Sequence, residues 1–442
     1  MKAARNGSYL GDVLTLSSGT AFSQVLVILS TPLLTRVFTP EDFGALGVYG
    51  AFLAFGMIVA TGKLELAVPL PRLHRQADGV ILTAASAAAA AAVCAGLGAL
   101  MLKETTILQN LGVSSLLWWA LPIGIILGSG YKLGHYWAIR QSLIPSLALA
   151  KAKQSVAMVG LQLGLGISGL GGAGLIVGHI SGHSAGSWSL LSKWHRGKTG
   201  RRTGGWREMR WAASRFRRFP LVMMPAALIN AAGRHAPVLL LGVWFPGPIV
   251  GYYVIANRVM KAPVRLLGKA IADVTLNRVA GETSQHRLMS RVYWVSNLLA
   301  WPLFGIVAAL APALAEPVLG EGYSSAGVAL AALAPAGAAL LTITPISALA
   351  IANEQHGIEF WAQVSLLVSR IGGLSVGAAL QDWLLAVALF SLGSTIVWWI
   401  YGARLTEAAG GGIVRFAATT IFGCSLGVAT WFSCLLILSV VL

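Results

Sequence analysis

Long apolar runs alternate with short polar or turn-rich segments along the whole chain. Runs near the ~20 residues that cross a bilayer predict thirteen transmembrane helices. They lie at 13–36, 43–68, 78–102, 111–131, 153–170, 172–192, 219–244, 249–271, 292–315, 326–351, 358–380, 383–403 and 416–441. The predicted fold class is therefore all-α and polytopic. Six spans precede a polar, strongly basic stretch, six follow it, and one is appended. The expected division is 1–192, a basic linker at 193–218, 219–403, and an additional helix within 404–442.

One span breaks the apolar pattern. Arg258, Lys261, Arg265 and Lys269 follow one another at intervals of three, four and four residues. At about 100° per residue they fall within roughly 80° of one helical face. A cation at a bilayer centre costs about 2.5–3.5 kcal/mol on insertion scales, so a ladder of them calls for an aqueous cavity or an anion. The competing reading is that Arg265 and Lys269 snorkel to the nearer surface, which fits Arg258 and Lys261 poorly. Arg234, followed by His235, and Arg370 stand near the middle of the seventh and eleventh spans. Cavity lining and pairing with a carboxylate on another helix both remain open for these two.

Composition agrees with a membrane protein. Of 442 residues, 56% are hydrophobic and 11% charged, with a mean hydropathy of +0.74; soluble domains carry about 25% charged residues. The net charge of +17 would suggest nucleic acid in a soluble chain, but topology accounts for it. With the N-terminus in the cytoplasm, 23 of the 32 Lys and Arg residues fall on the cytoplasmic side, seven lie within spans, and only Arg36 and Lys103 lie outside. That is the positive-inside pattern. Ten of these cations lie in 193–218, against one acid, Glu208. There Trp206, Trp211, Phe216 and Phe219 interleave with arginines, as in an interfacial stretch on anionic headgroups or a plain solvated linker. The first apolar run is too long for a cleaved signal and reads as an anchor. Cys94, Cys424 and Cys434 lie in apolar runs without disulfide or metal spacing.

A short internal echo supports two halves. Phe38-Thr39-Pro40-Glu41-Asp42-Phe43-Gly44 and Phe245-Pro246-Gly247-Pro248-Ile249-Val250-Gly251 each place Phe and Gly six residues apart around Pro, between two spans. An even number of spans per half gives both halves the same orientation and predicts a parallel repeat about an axis along the membrane normal. Pro32 and Pro237 occupy similar places in the first helices of the halves, and Pro122, Pro302, Pro335 and Pro345 interrupt others.

Several segments together resemble bacterial polysaccharide-repeat-unit (O-antigen, capsule or exopolysaccharide) flippases. These belong to the multidrug/oligosaccharidyl-lipid/polysaccharide exporter superfamily. The segments are Gly19-Thr20-Ala21, Leu33 to Gly44, Leu64-Glu65-Leu66-Ala67, Arg217-Arg218-Phe219-Pro220 and Gly251 to Arg258, in the family's order. The resemblance implies two six-helix bundles, related by a pseudo-twofold axis, around a central cavity. It also implies translocation of an undecaprenyl-diphosphate-linked oligosaccharide across the bacterial inner membrane by alternating access. The partners it implies are the lipid-linked oligosaccharide, anionic lipids, and polymerase and export proteins, with no cofactor. The thirteenth span departs from the family's commonest twelve.

On that reading the candidate substrate-binding cations are Arg258, Lys261, Arg234, Arg370, Arg265 and Lys269, with Asp273 a possible partner for Lys269. Ion-coupling candidates are the acids at span ends, Glu65, Asp273 and Glu359; for Glu65, pairing with Lys63 or snorkelling is the simpler account. Related drug exporters use an aspartate in the first helix, and residues 13–36 contain no acid. Gly174, Gly178, Gly182 and Gly186 form consecutive GxxxG units that predict close helix packing. His179 and His183, an i, i+4 pair, lack a companion carboxylate or Cys, so polar packing or cavity lining is expected rather than metal. No Walker-type loop or nucleophile–base pair is present, and the predicted outside loops are short. A transporter is expected, rather than an ATPase, polymerase or ligase. A drug or metabolite antiporter on the same fold is the alternative.

Overall fold

A computed structural model describes residues 9–102, 115–196, 204–245, 247–272, 275, 285–352 and 356–441. Among them the chain is helical throughout, with no strand. The helices are α1 (Tyr9–Thr35), α2 (Pro40–Thr61), α3 (His74–Leu102), α4 (Ser115–Arg140), α5 (Ile144–Ile167), α6 (Gly171–Arg196) and α7 (Trp206–Arg215). They continue as α8 (Met224–Trp244), α9 (Ile249–Pro263), α10 (Gln285–Leu319), α11 (Ser324–Ala352), α12 (His356–Ala379), α13 (Trp383–Ala408) and α14 (Ile413–Val441). Each of the thirteen apolar runs lies mainly on one helix, and nine helices among the described residues are long and apolar enough to cross a membrane. The chain folds as two compact units, Met1–Ala231 and Ala232–Leu442.

In the first unit, the echo motif is the hinge between α1 and α2. Thr39 caps α2: its backbone N–H donates to Asp42 Oδ2 (2.9 Å), and the Asp42 N–H donates to Thr39 Oγ1 (3.4 Å). Pro40 occupies the first helical turn, where its missing N–H costs nothing. The glycine stripe of α6 faces α5. A β-carbon at Gly178 would lie 2.8 Å from the Gln162 backbone nitrogen, and one at Gly182 would lie 2.9 Å from the Gln154 carbonyl. Gln162 Nε2, buried in this seam, donates to the Leu175 carbonyl at 3.0 Å. The helices extend beyond the fourth and fifth predicted spans: α4 runs on to Arg140 and α5 begins at Ile144. Lys132, Lys151 and Lys153 therefore sit on helices. Helix propagation past an apolar run costs little once the nucleus exists.

The basic segment contains α7, which crosses the start of α3. Gly79 on α3 admits Glu208, whose β-carbon would meet a β-carbon placed there at 2.7 Å. Glu208 pairs with Arg75, with the Arg75 Nε contact at 3.1 Å, and accepts from the Gly205 N–H at 2.8 Å. The aromatic residues expected at headgroups divide. Trp206 is 74% exposed, whereas Trp211, Phe216 and Phe219 pack on a core containing Leu64, Val80, Leu133 and Trp137. Apolar contact with the unit's own core has taken those three rings.

In the second unit, α10 packs on α11 and α14, α12 on α13, and α9 on α11. The appended α14 lies against α10 through Gly423 and Gly427, where β-carbons would meet Trp301 at 2.9 and 3.2 Å. The second echo motif again joins two helices, α8 and α9, through Gly247 at φ +95°. The predicted span 249–271 is not one regular helix. After Pro263, α9 passes into a π-turn at Val264–Gly268.

Gly178→Leu forces a side chain into the Gln162 backbone and should destabilise the protein by about 1–3 kcal/mol. Gly160→Leu, on α5 with open space around it, should leave stability unchanged. Thermal unfolding in detergent checks the pair. The Arg75 and Gly205 contacts hold the Glu208 carboxyl down at about 2. Because the folded value is depressed, this anchor is intact above the ordinary carboxylate range and is lost as pH falls toward 2. Glu208→Gln should remove that acid dependence, read as protease access to 204–218 between pH 7 and pH 3.

Candidate functional site

The second unit gathers five of the six predicted cations. Lys261 on α9 lies within electrostatic reach of Arg370 on α12, Arg265 in the π-turn and Arg234 on α8. Arg258 lies within reach of Arg265, and His235 within reach of Arg234 and Lys261. Arg258, Lys261 and Arg370 are half-buried, whereas Arg234 and Arg265 are exposed. Lys269 is exposed and is not joined to the group. Between them lies the π-turn, and an i→i+5 turn changes the angular register, so residues after Gly268 do not keep the regular 100° spacing from Arg258 and Lys261.

Arg370 is the best-defined member. Its Nε donates to Ser394 Oγ at 3.0 Å, and a terminal nitrogen donates to the Gly233 carbonyl at 3.0 Å. Its guanidinium carbon lies 5.3 Å from the centre of the Phe390 ring, within cation–π range. Tyr253, 1% exposed, meets that ring edge-on at 6.0 Å. These partners are neutral and fix the guanidinium without cancelling its charge. Among the described residues, Arg234 and Lys261 have no carboxylate partner either. Fixed like charges in a low-dielectric surrounding repel strongly, and an anion relieves that repulsion.

Glu359 and Glu65 have surroundings of their own. Glu359, in the first turn of α12, accepts from Tyr401 Oη and, at 2.8 Å, from Gln363 Nε2. Glu65 is in the first unit, on a short 3-10 turn, 2% exposed. It does not pair with Lys63, and its Oε2 has no hydrogen-bond partner among the described residues. Burial with the core residues Leu64, Ala67 and Val68 excludes snorkelling. Asp273 lies outside the described residues. A groove of about 930 Å³ lies elsewhere in this unit, between α13 and α14, and apolar residues such as Trp399, Phe416 and Phe432 line it.

Sequence reasoning misses the supports of Arg370. Ser394, Phe390 and the Gly233 carbonyl carry no motif; only Tyr253 falls in a segment marked by resemblance.

Comparison with known proteins follows the same lines. A family model described as polysaccharide biosynthesis protein matches residues 145–328. No curated protein matches the sequence. Among solved structures the fold is similar to "Lipid II flippase MurJ, inward closed conformation": TM-score 0.74, 11% identity, 97% of this chain and 98% of that one. It is also similar to an inward-facing multidrug resistance MATE family transporter of the MOP superfamily, with TM-score 0.61 and 13% identity over 88% and 95% of the two chains. A third match is a MOP superfamily transporter from Pyrococcus furiosus, with TM-score 0.50 and 13% identity over 91% and 97%. The chain has the fold of this superfamily over nearly its full length, and the resemblance to its polysaccharide branch is met by the family match.

Arg370→Ala should lower the stability of the protein by about 1.5–3 kcal/mol through the lost charged hydrogen bonds. Arg370→Lys should recover less than half of it, because an ammonium lacks the planar fork that reaches Ser394 and Gly233 together. Unfolding midpoints in detergent test the order wild type, Lys, Ala.

Proposed function

We propose that this chain, which shares the fold of a lipid II flippase and matches a polysaccharide biosynthesis family over residues 145–328, translocates an undecaprenyl-diphosphate-linked oligosaccharide repeat unit. The membrane is the bacterial inner membrane, with the N-terminus cytoplasmic, and the mechanism is alternating access. The observation that carries this reading is the cluster of Arg234, Arg258, Lys261, Arg265 and Arg370 within apolar helices. A diphosphate or an acidic sugar matches it in charge. The guanidinium groups supply forked donors to phosphate oxygens, and Lys261 supplies a point charge. Lys269 serves the cytoplasmic interface rather than the substrate.

For ion coupling the geometry favours Glu65. A carboxylate 2% exposed, with an unsatisfied oxygen, is costly to leave without a partner, which suits it to a small cation. Glu359 is already held by Tyr401 and Gln363. A drug or metabolite antiporter is the second reading, favoured by the fold likeness to a multidrug transporter. The cluster's positive charge disfavours cationic drugs. The exposed Trp206 and the arginines of α7 suit anionic headgroups.

Arg258→Glu with Lys261→Glu should abolish surface polysaccharide export while the protein still inserts at wild-type level. Full-length glycan at normal abundance in that double variant would refute the anion-binding role. Gel analysis of surface glycan alongside immunoblots of the membrane fraction gives both readouts.

A further inference from the structure

The first unit holds a second polar cluster, on α4, α5 and α6. Sequence spacing pointed only to His179 and His183. The fold adds Tyr131, Lys132 and His135 from α4 and Lys151 and Gln154 from α5. The His179 and His183 rings are 5.1 Å apart. The Tyr131 ring lies 6.2 Å from both His135 and His183. Gln154 Nε2 lies 3.4 Å from His183 Nδ1. Lys132 is within electrostatic reach of His183, and Lys151 of His135. All seven side chains are half-buried. Gly186 allows the arrangement, because a β-carbon there would lie 2.7 Å from the Tyr131 ring.

Helix packing alone asks for less. One buried hydrogen bond between α5 and α6 is already supplied by Gln162, and the glycine stripe supplies the contact. Three imidazoles, an amide, a phenol and two ammonium groups, each half-buried, are far more polar chemistry than that seam needs. Their chemistry is mixed. Neutral imidazole and amide groups both donate and accept hydrogen bonds, as vicinal hydroxyls require. The Tyr131 ring offers an apolar face for sugar C–H groups. The lysines add attraction for an acidic sugar without making a guanidinium-type phosphate clamp.

We infer that Tyr131, His135, Gln154 and His183 form a saccharide-binding subsite in the first unit, recognising the sugar part of the cargo. The inference rests on the proposed function, in which the cationic cluster of the second unit takes the diphosphate. The two sites then recognise different chemical parts of one molecule.

The full-length protein in detergent is titrated with two probes, reading intrinsic tryptophan fluorescence. One is undecaprenyl diphosphate. The other is the lipid-linked oligosaccharide pool extracted from cells deleted for this chain. Wild type should bind the glycosylated probe at least tenfold more tightly than the bare lipid. Gln154→Ala, and separately His183→Ala, should cut that advantage to threefold or less while leaving bare-lipid affinity unchanged. His183→Gln, which keeps a donor and an acceptor, should restore part of it. Equal binding of both probes by wild type, or retention of the tenfold advantage in both alanine variants, overturns the subsite and leaves the flippase reading standing. Failure of wild type to bind either probe overturns both.

Discussion

Fixed positive charge in apolar surroundings is the constraint on which the second unit depends. Arg258, Lys261 and Arg370 are half-buried on helices that otherwise meet a low-dielectric environment, where like charges repel far more than in water. A structural cation in such a place is normally neutralised by a carboxylate. Arg370 is instead held by a hydroxyl, a carbonyl and an aromatic face. That choice fixes geometry and keeps the charge available. A protein that wanted only to bridge α8, α12 and α13 would do so at less cost with neutral groups. The retained charge is what supports the proposed anion site.

The packing around these polar groups is arranged so that helices can carry them without gaps. In the first unit, four glycines on α6 bring its backbone against α5, and the same close approach lets Tyr131 lie over Gly186. In the second, Gly423 and Gly427 seat α14 on Trp301 of α10. Without a hydrophobic driving force between helices in lipid, such small-residue seams are what hold a bundle together. In the first unit the polar cluster sits beside its seam, with Tyr131 against Gly186 and Gln154 against Gly182.

Much of the fold is legible in the sequence because burial in lipid demands long uninterrupted apolar runs. Each of the thirteen runs lies mainly on one helix, and the Thr39-Pro40-Glu41-Asp42 cap stands where the pattern places a turn. What escapes the pattern is instructive. The continuation of α4 and α5 through Lys132 and Lys151 is hidden because charge mimics a loop. The π-turn after Pro263 is hidden because its residues are as apolar as a helix requires, so a regular 100° ladder overstates the reach of the cationic face to Lys269. The clusters are only half legible. Arg258, Lys261, Arg234 and Arg370 stand out as charges in apolar runs, whereas Tyr131, Gln154 and Ser394 are unremarkable until distant helices meet.

Charge and neutrality are divided between the units in a way that follows from the chemistry of a lipid diphosphate sugar. The diphosphate is the part that water solvates most strongly, so its transfer needs fixed compensating charge. In the proposed function the cationic cluster of the second unit supplies that. A sugar carries many weak donors and acceptors, and a site for it gains from neutral groups that reverse their roles. Glu65 adds a third element. An ionised carboxylate packed with Leu64, Ala67 and Val68, with Oε2 unsatisfied, raises the free energy of the conformation that buries it. In the proposed transport cycle, a buried acid without a partner of this kind is where a coupling cation would find its ligand.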